Sequence, residues 1–152
     1  MSPVEIDRNG LEVLSREDCL RLLGTAVLGR VAVTSGALPT ILPVNFDFDG
    51  HEILIRTGRG TQLDSATRNA VVAFEVDQIE PAWRAGWSVV VTGFARELAD
   101  PDLVAAAEHP SLGRWASAAD DRIVAISPDV VSGRRVLPGG GRPGLGLDQP
   151  AT

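Results

Sequence analysis

Two turn signals, Ser35-Gly36 and Asp49-Gly50, punctuate the first third of this chain, and each stands between runs that read as extended strand. Residues 28–35, LGRVAVTS, alternate up to the first signal. Residues 39–48, PTILPVNFDF, follow, with Val44, Phe46 and Phe48 on one face and Asn45 and Asp47 on the other. Successive strand side chains point to opposite faces, so this period of two marks a sheet with one buried side. Asp-Gly supplies the positive φ that a tight hairpin needs, and residues 52–57, EILIRT, return from it. Two hairpins in succession commit the chain to an antiparallel sheet.

The remainder extends the pattern. Residues 71–77, VVAFEVD, and 87–98, WSVVVTGFAREL, read as longer strands, and residues 122–127, RIVAIS, as a late one, with VVSGRRVL extending a barrel edge. Gly93 interrupts the longest run, where a bulge or sharp bend is expected. Helical signals are few. Ser15 followed by Asp18 opens a short leucine-faced helix that Gly24 stops, residues 62–69 form another, and Asp100-Pro101 starts a third that runs through Glu108. About six antiparallel strands with so little helix most economically close into a small barrel, which removes exposed sheet edges. The expected fold is therefore mainly β, a six-stranded antiparallel barrel with short flanking helices over residues 1–137. The tail from 138 to 152, PGGGRPGLGLDQPAT after Leu137, cannot bury a face and is expected to be disordered.

Composition narrows the chemistry. With 152 residues, 44% of them apolar, the chain can bury a single core. A net charge of −6 argues against nucleic acid or an anionic membrane as partner, since both demand clustered positive charge. All 14 basic residues are arginine, which removes Schiff-base chemistry and any P-loop lysine. His51 and His109 have no second ligand at metal spacing, and the single Cys19 lies beside Leu20, Leu22 and Leu23, as a packed thiol would. No metal site and no catalytic side chain is expected, so a bound cofactor would have to carry any reaction. No run approaches the roughly 18–20 apolar residues of a membrane span, and MSPVEIDRNG lacks the regions of a signal peptide, so a cytoplasmic protein is expected.

The candidate site lies where the third strand ends, in Arg56, Thr57, Gly58, Arg59, Gly60, Thr61, Gln62 and Leu63. Glycines let the backbone turn through positive φ and approach a ligand, so that N–H groups can converge on an anion. Thr61 as N-cap, with Asp64 three residues on, would aim the first-turn amides of Gln62 and Leu63 at the same point. Arg56 and Arg59 add charge-assisted donors. A phosphate-binding loop and a plain glycine-rich strand exit with solvated arginines both fit this stretch.

Val31-Ala-Val33, the PVNF of residues 43–46, the RTGRGTQL of 56–63, the VAFEVD of 72–77, the GWSVVVTG of 86–93 and the SGRR of 132–135 occur in an order that resembles the pyridoxamine 5′-phosphate oxidase-like flavin-binding split-barrel family, in its actinobacterial and nitroimidazole-resistance-like branch. The resemblance spans residues 11–137. It implies a homodimer with two flavin mononucleotide (FMN) sites at the subunit interface. It also implies that Arg56, Thr57, Thr61 and Gln62 hold the phosphate, and that the backbone of Pro43, Val44, Asn45 and Phe46 runs beside the flavin ring. Trp87 would reach the dimer interface and the ring, or else serve as an aromatic core residue at the barrel rim.

Two departures from the family pattern bear on activity. Many relatives carry lysine where this chain has Gln62, a lost charge expected to weaken phosphate binding by about 1–2 kcal/mol, with Arg59 as a compensating cation. The Arg-x-His signature of true pyridoxamine phosphate oxidases is absent, so vitamin B6 oxidation is not expected. What the resemblance implies instead is a flavin-dependent oxidoreductase that moves a hydride between reduced cofactor and a small-molecule acceptor. The alternative is a non-catalytic carrier of a flavin, a deazaflavin coenzyme or a haem-like ligand.

Overall fold

The computed structural model describes residues 3–99 and 121–138. The expected helix from Asp100, together with His109 and the tail beyond Pro138, lies outside the described residues. In chain order the elements are β1 (Glu5–Ile6), β2 (Glu12–Val13), α1 (Arg16–Leu23), β3 (Leu28–Ser35), β4 (Leu38–Phe48), β5 (Ile53–Thr57), α2 (Gln62–Ala66), β6 (Ala70–Glu80), a 3-10 turn (Pro81–Trp83), β7 (Ala85–Glu97), β8 (Arg122–Ile126) and β9 (Val130–Val136).

Strands β7, β6, β3, β4, β5 and β8 pair in that order, and β8 pairs back onto β7, which closes a six-stranded antiparallel barrel. Both expected hairpins are present. Ser35 faces Leu38 across the first turn, while in the second Gly50 takes φ +94° and the Asp49 carboxylate accepts the amides of His51 and Glu52 at 2.7 Å. Period-two patterning becomes burial directly. Val31 and Val33 of β3, Val44 and Phe46 of β4, and Phe74 and Val76 of β6 all point inward, and the rings of Phe46 and Phe74 meet edge to face at 4.8 Å. Strand β8 is buried on both faces, since Val124 and Ile126 enter the barrel while Ile123 and Ala125 join Leu54 and Leu98 in a smaller outer cluster.

Helix α1 begins where Ser15 Oγ accepts the Asp18 amide at 3.1 Å, and it presses Cys19, Leu22 and Leu23 onto the core. Burial raises the Cys19 thiol above its ordinary pKa, in keeping with a packed rather than reactive sulfur. Helix α2 is shorter than the 62–69 pattern suggests. It ends at Ala66, where the Thr67 hydroxyl donates to the Leu63 carbonyl at 2.7 Å and Asn69 turns to φ +47°.

Of the bulge or sharp bend expected at Gly93, the register excludes the first. The register between β6 and β7 runs unbroken from Ala70↔Ala95 to Glu80↔Ala85, so no bulge exists there. What changes at Gly93 is the partner on the other edge. Residues 86–92 pair with β9, and residues 95–97 pair with β8. The chain crosses between those two strands at Ser127, whose carbonyl oxygen would lie 1.6 Å from a Cβ on Gly93. Glycine is required by the close approach of two backbones, and this crossing is what splits the sheet into a closed barrel and a side ribbon of β9, β2 and β1.

Candidate functional site

The loop leaving β5 is organised around a carboxylate. Asp64, the third residue of α2, is 1% exposed. Its Oδ2 accepts the Gly60 amide at 3.0 Å and Arg68 Nη2 at 3.1 Å, while its Oδ1 accepts Arg122 Nη1 at 2.8 Å and the Thr57 hydroxyl at 3.4 Å. Thr61 caps the helix as its spacing predicts, accepting the Asp64 amide at 3.1 Å and donating its own proton to the Gly58 carbonyl at 2.7 Å. Burial alone would raise the Asp64 carboxyl, but the Gly60 amide and the guanidiniums of Arg68 and Arg122 outweigh it and hold the group below its ordinary pKa. Arg122 also donates to Glu97, so the buried guanidinium bridges the loop to the end of β7.

These bonds engage several of the expected ligand donors within the loop. The hydroxyl protons of Thr57 and Thr61 and the amide of Gly60 are all engaged inside the loop. Donors offered outward are the exposed Arg59 and Gln62 and the first-turn amides of α2 at Gln62 and Leu63, which a helix cannot satisfy internally. Arg56 sits on β5, opposite Ile123 of β8, and is half-buried. The sequence contained Asp64 as a capping residue only. Its principal partner, Arg122, is 58 positions away, and no local signal connects them.

The loop lies beside the PVNF strand. Gln62 Nε2 reaches Thr40 Oγ1 of β4 at 3.4 Å, and Phe46 pairs with Ile55 just before the loop begins. Val44 and Phe46 point into the core, so only their backbone is offered outward, whereas Pro43 is exposed and Asn45 half-exposed on the outer face. A row of paired residues continues around that face from Pro43 to Arg30, Glu75 and Val90. Arg30 Nη1 donates to Glu75 Oε2 at 3.0 Å and to Asp77 Oδ2 at 2.9 Å. Partial burial, with Asp77 hydrogen-bonded alongside, pushes Glu75 up to about 7 despite the opposing pull of Arg30.

Trp87 is not brought to the loop. It pairs with Gln78 and Arg135, packs one face on the core, and lines a cleft of about 340 Å³ with Asp77, Ile79, Arg84 and Arg134 at the β6–β7 hairpin. Arg134 and Arg135 of the late SGRR are tied to Asp7 at 2.9 Å and Glu12 at 3.3 Å, so they pin the side ribbon.

A closed six-stranded antiparallel barrel, opened into a side ribbon and carrying an arginine- and glycine-bearing loop at a strand end, defines the split-barrel class. Comparison with known proteins agrees. A profile of the pyridoxamine 5′-phosphate oxidase family matches residues 15–135. The uncharacterized protein Rv0080 of Mycobacterium tuberculosis is 40% identical over 132 residues, covering 82% of this chain and 84% of that protein. The FAD-binding protein from Mycobacterium smegmatis superposes with a TM-score of 0.71 at 35% identity, over 82% of this chain and 98% of that one. The FAD and heme binding protein from the same organism shares the fold, with a TM-score of 0.64 at 22% identity, over 84% of this chain and 73% of that one. This chain belongs to the pyridoxamine 5′-phosphate oxidase family of split-barrel proteins.

Proposed function

We propose that this protein binds a flavin nucleotide at the β5–α2 loop and along the outer face of β4, and acts as an oxidoreductase on a small-molecule acceptor. The observation that carries the reading is the contact of Gln62 with Thr40, which sets a cationic loop against the strand that offers Pro43 and Asn45 outward. Charge balance supports it. The one carboxylate in the loop is matched by Arg122 and Arg68, and the exposed Arg59 adds positive charge at the loop tip, as a phosphate requires. Arg56, Arg59, Gln62 and the amides of Gln62 and Leu63 would hold the phosphate, with Thr57 and Thr61 shaping the loop around it. A flavin held there would supply the hydride-transfer chemistry. The chain's own residues bind and orient the cofactor, and a second copy of the chain, with its Trp87, completes the site as a homodimer.

The resemblance favours FMN. The 35% identity to the FAD-binding protein from M. smegmatis makes FAD, which carries the same ring and a phosphate at the equivalent position, the second candidate. Visible absorption during titration with FMN, FAD and a deazaflavin coenzyme tests the proposal. A saturable, perturbed flavin spectrum at one equivalent per chain is expected, followed by bleaching with a nicotinamide donor. Saturation by the deazaflavin alone would replace the cofactor, and tight binding without reduction by any donor would make the protein a carrier. Gln62→Lys is expected to tighten FMN about tenfold by adding a charge at the phosphate. An unchanged affinity would remove Gln62 from the site.

A further inference from the structure

An anion buried within a loop that is to bind an anion needs an explanation, and the tip of the loop supplies one. Arg59, Gly60, Thr61 and Gln62 are all exposed, and a Cβ built on Gly60 would meet nothing within 4 Å, so packing does not hold this segment. Gly60 nonetheless adopts φ +77°, and its amide ends on Asp64 at 3.0 Å. The same side chain accepts from the Thr57 hydroxyl at the strand end, from Arg68 just past α2 and from Arg122 of β8, while the Asp64 backbone amide donates to the Thr61 cap. One residue thus ties the strand end, the turn, the cap and the barrel wall together.

We propose that Asp64 is the positioning residue of the phosphate loop, acting through Gly60, Thr57 and Arg122 to hold Arg59 and Gln62 together, without itself touching the ligand. At 1% exposure it has no surface to offer a ligand. It also explains why the protons of Thr57 and Thr61 are turned inward. They build the loop, and the outward donors bind. This inference rests on the flavin-nucleotide reading and adds to it the element that makes the loop selective for a phosphate over the bare ring system.

Riboflavin, which lacks the phosphate, separates the two claims. Titrating the full-length protein with FMN and with riboflavin is expected to show a clear preference for FMN. In Asp64→Asn that preference falls about tenfold, with riboflavin affinity unchanged, because the isosteric amide can no longer accept from Gly60, Thr57 and two guanidiniums at once. Hydrogen exchange at the Gly60 amide should quicken in the same variant. If Asp64→Asn does not fold, Thr57→Val takes one donor from the carboxylate without altering charge. It is expected to lower the FMN preference about threefold and to speed Gly60 exchange. An FMN preference and a Gly60 exchange rate equal to wild type in either folded variant overturn the positioning role alone and leave the flavin site standing. Equal affinity of the wild-type protein for FMN and riboflavin overturns it by denying the loop a phosphate. Binding of neither ligand sinks both this inference and the flavin reading beneath it.

Discussion

The barrel carries two clusters of arginine and carboxylate that use the same chemistry in different surroundings. At the β5–α2 loop one carboxylate, Asp64, sits between two guanidiniums and is nearly inaccessible. On the β3–β6 face two carboxylates, Glu75 and Asp77, share one guanidinium nitrogen of Arg30, whose side chain is 52% exposed. The first arrangement drives its acid below the ordinary value, and the second leaves Glu75 at about 7. Burial disfavours charge at both sites, so what faces each carboxylate decides the direction: a backbone amide and two guanidiniums at Asp64, a second acid and one guanidinium at Glu75. The Gly60 amide and two guanidiniums favour the charged form of Asp64, which serves as a structural pivot. With a second acid alongside and one shared guanidinium, Glu75 protonates near neutrality.

Removing Arg122 tests the first half of this contrast most severely. In Arg122→Met the buried Asp64 keeps only the exposed Arg68 as a cation, and a buried charge stripped of its main partner costs about 3–5 kcal/mol. Chemical denaturation should show a loss of that size, with the lower end expected because Glu97, the second partner of Arg122, is half exposed and can turn to water. The double variant Asp64→Leu with Arg122→Met should recover much of it, since neither charge then needs a partner. A single-variant loss below about 1 kcal/mol would mean that the loop cluster behaves like a surface pair, and the contrast between the two sites would vanish.

Glu75 tests the other half through pH. Its folded value of about 7 lies above the ordinary 4.5, so the folded chain keeps a proton that the unfolded chain has already released. The stability associated with this group is fully present below pH 4.5, is lost as pH rises to about 7, and changes no further above that. Because Glu75 retains 27% of its side-chain exposure and shares its proton with Asp77, solvent screening reduces the effect to the order of 1 kcal/mol. Glu75→Gln should abolish this slope in denaturation midpoints measured from pH 4 to 8. A slope of the same size in the variant would assign the proton to another group. Arg30→Gln removes the opposing cation, and the carboxyl transition, followed by the ¹³C shift of the Glu75 side chain, should move to higher pH.

What could be read in advance divides along the same lines. The strand runs 28–35 and 39–48, the Asp49-Gly50 turn and the Ser15 and Thr61 caps were legible because each depends on residues within a few positions of one another. The two-residue strands β1 and β2 carry no periodicity to detect. Gly93 was legible as special but not as a crossing point, because the atom that excludes a side chain belongs to Ser127, beyond the end of another strand. The candidate site shows the same limit. Its position and cations stand in the linear order of residues 56–63, whereas the pairing of Asp64 with Arg122, and of Glu75 with Arg30 at a separation of 45, exists only once the barrel closes. The alternation of VAFEVD places Glu75 and Asp77 on one face but does not name the cation between them.

Arg68 provides the finest probe of the contrast, because it touches the buried carboxylate from the solvent side. Its side chain is 52% exposed, and it reaches Asp64 Oδ2 at 3.1 Å across one turn of helix. An exposed cation one turn along a helix contributes about 0.3–0.5 kcal/mol, so Arg68→Ala should lower stability by no more than that. If Arg122 alone suffices to keep Asp64 charged, acid denaturation of the variant should begin at nearly the wild-type pH, and added salt should narrow even the small stability difference by screening the pair. If instead Arg68→Ala approaches the effect of Arg122→Met, then the charge of Asp64 depends on both cations equally. Exposure would then matter less to the loop than the number of guanidiniums around it.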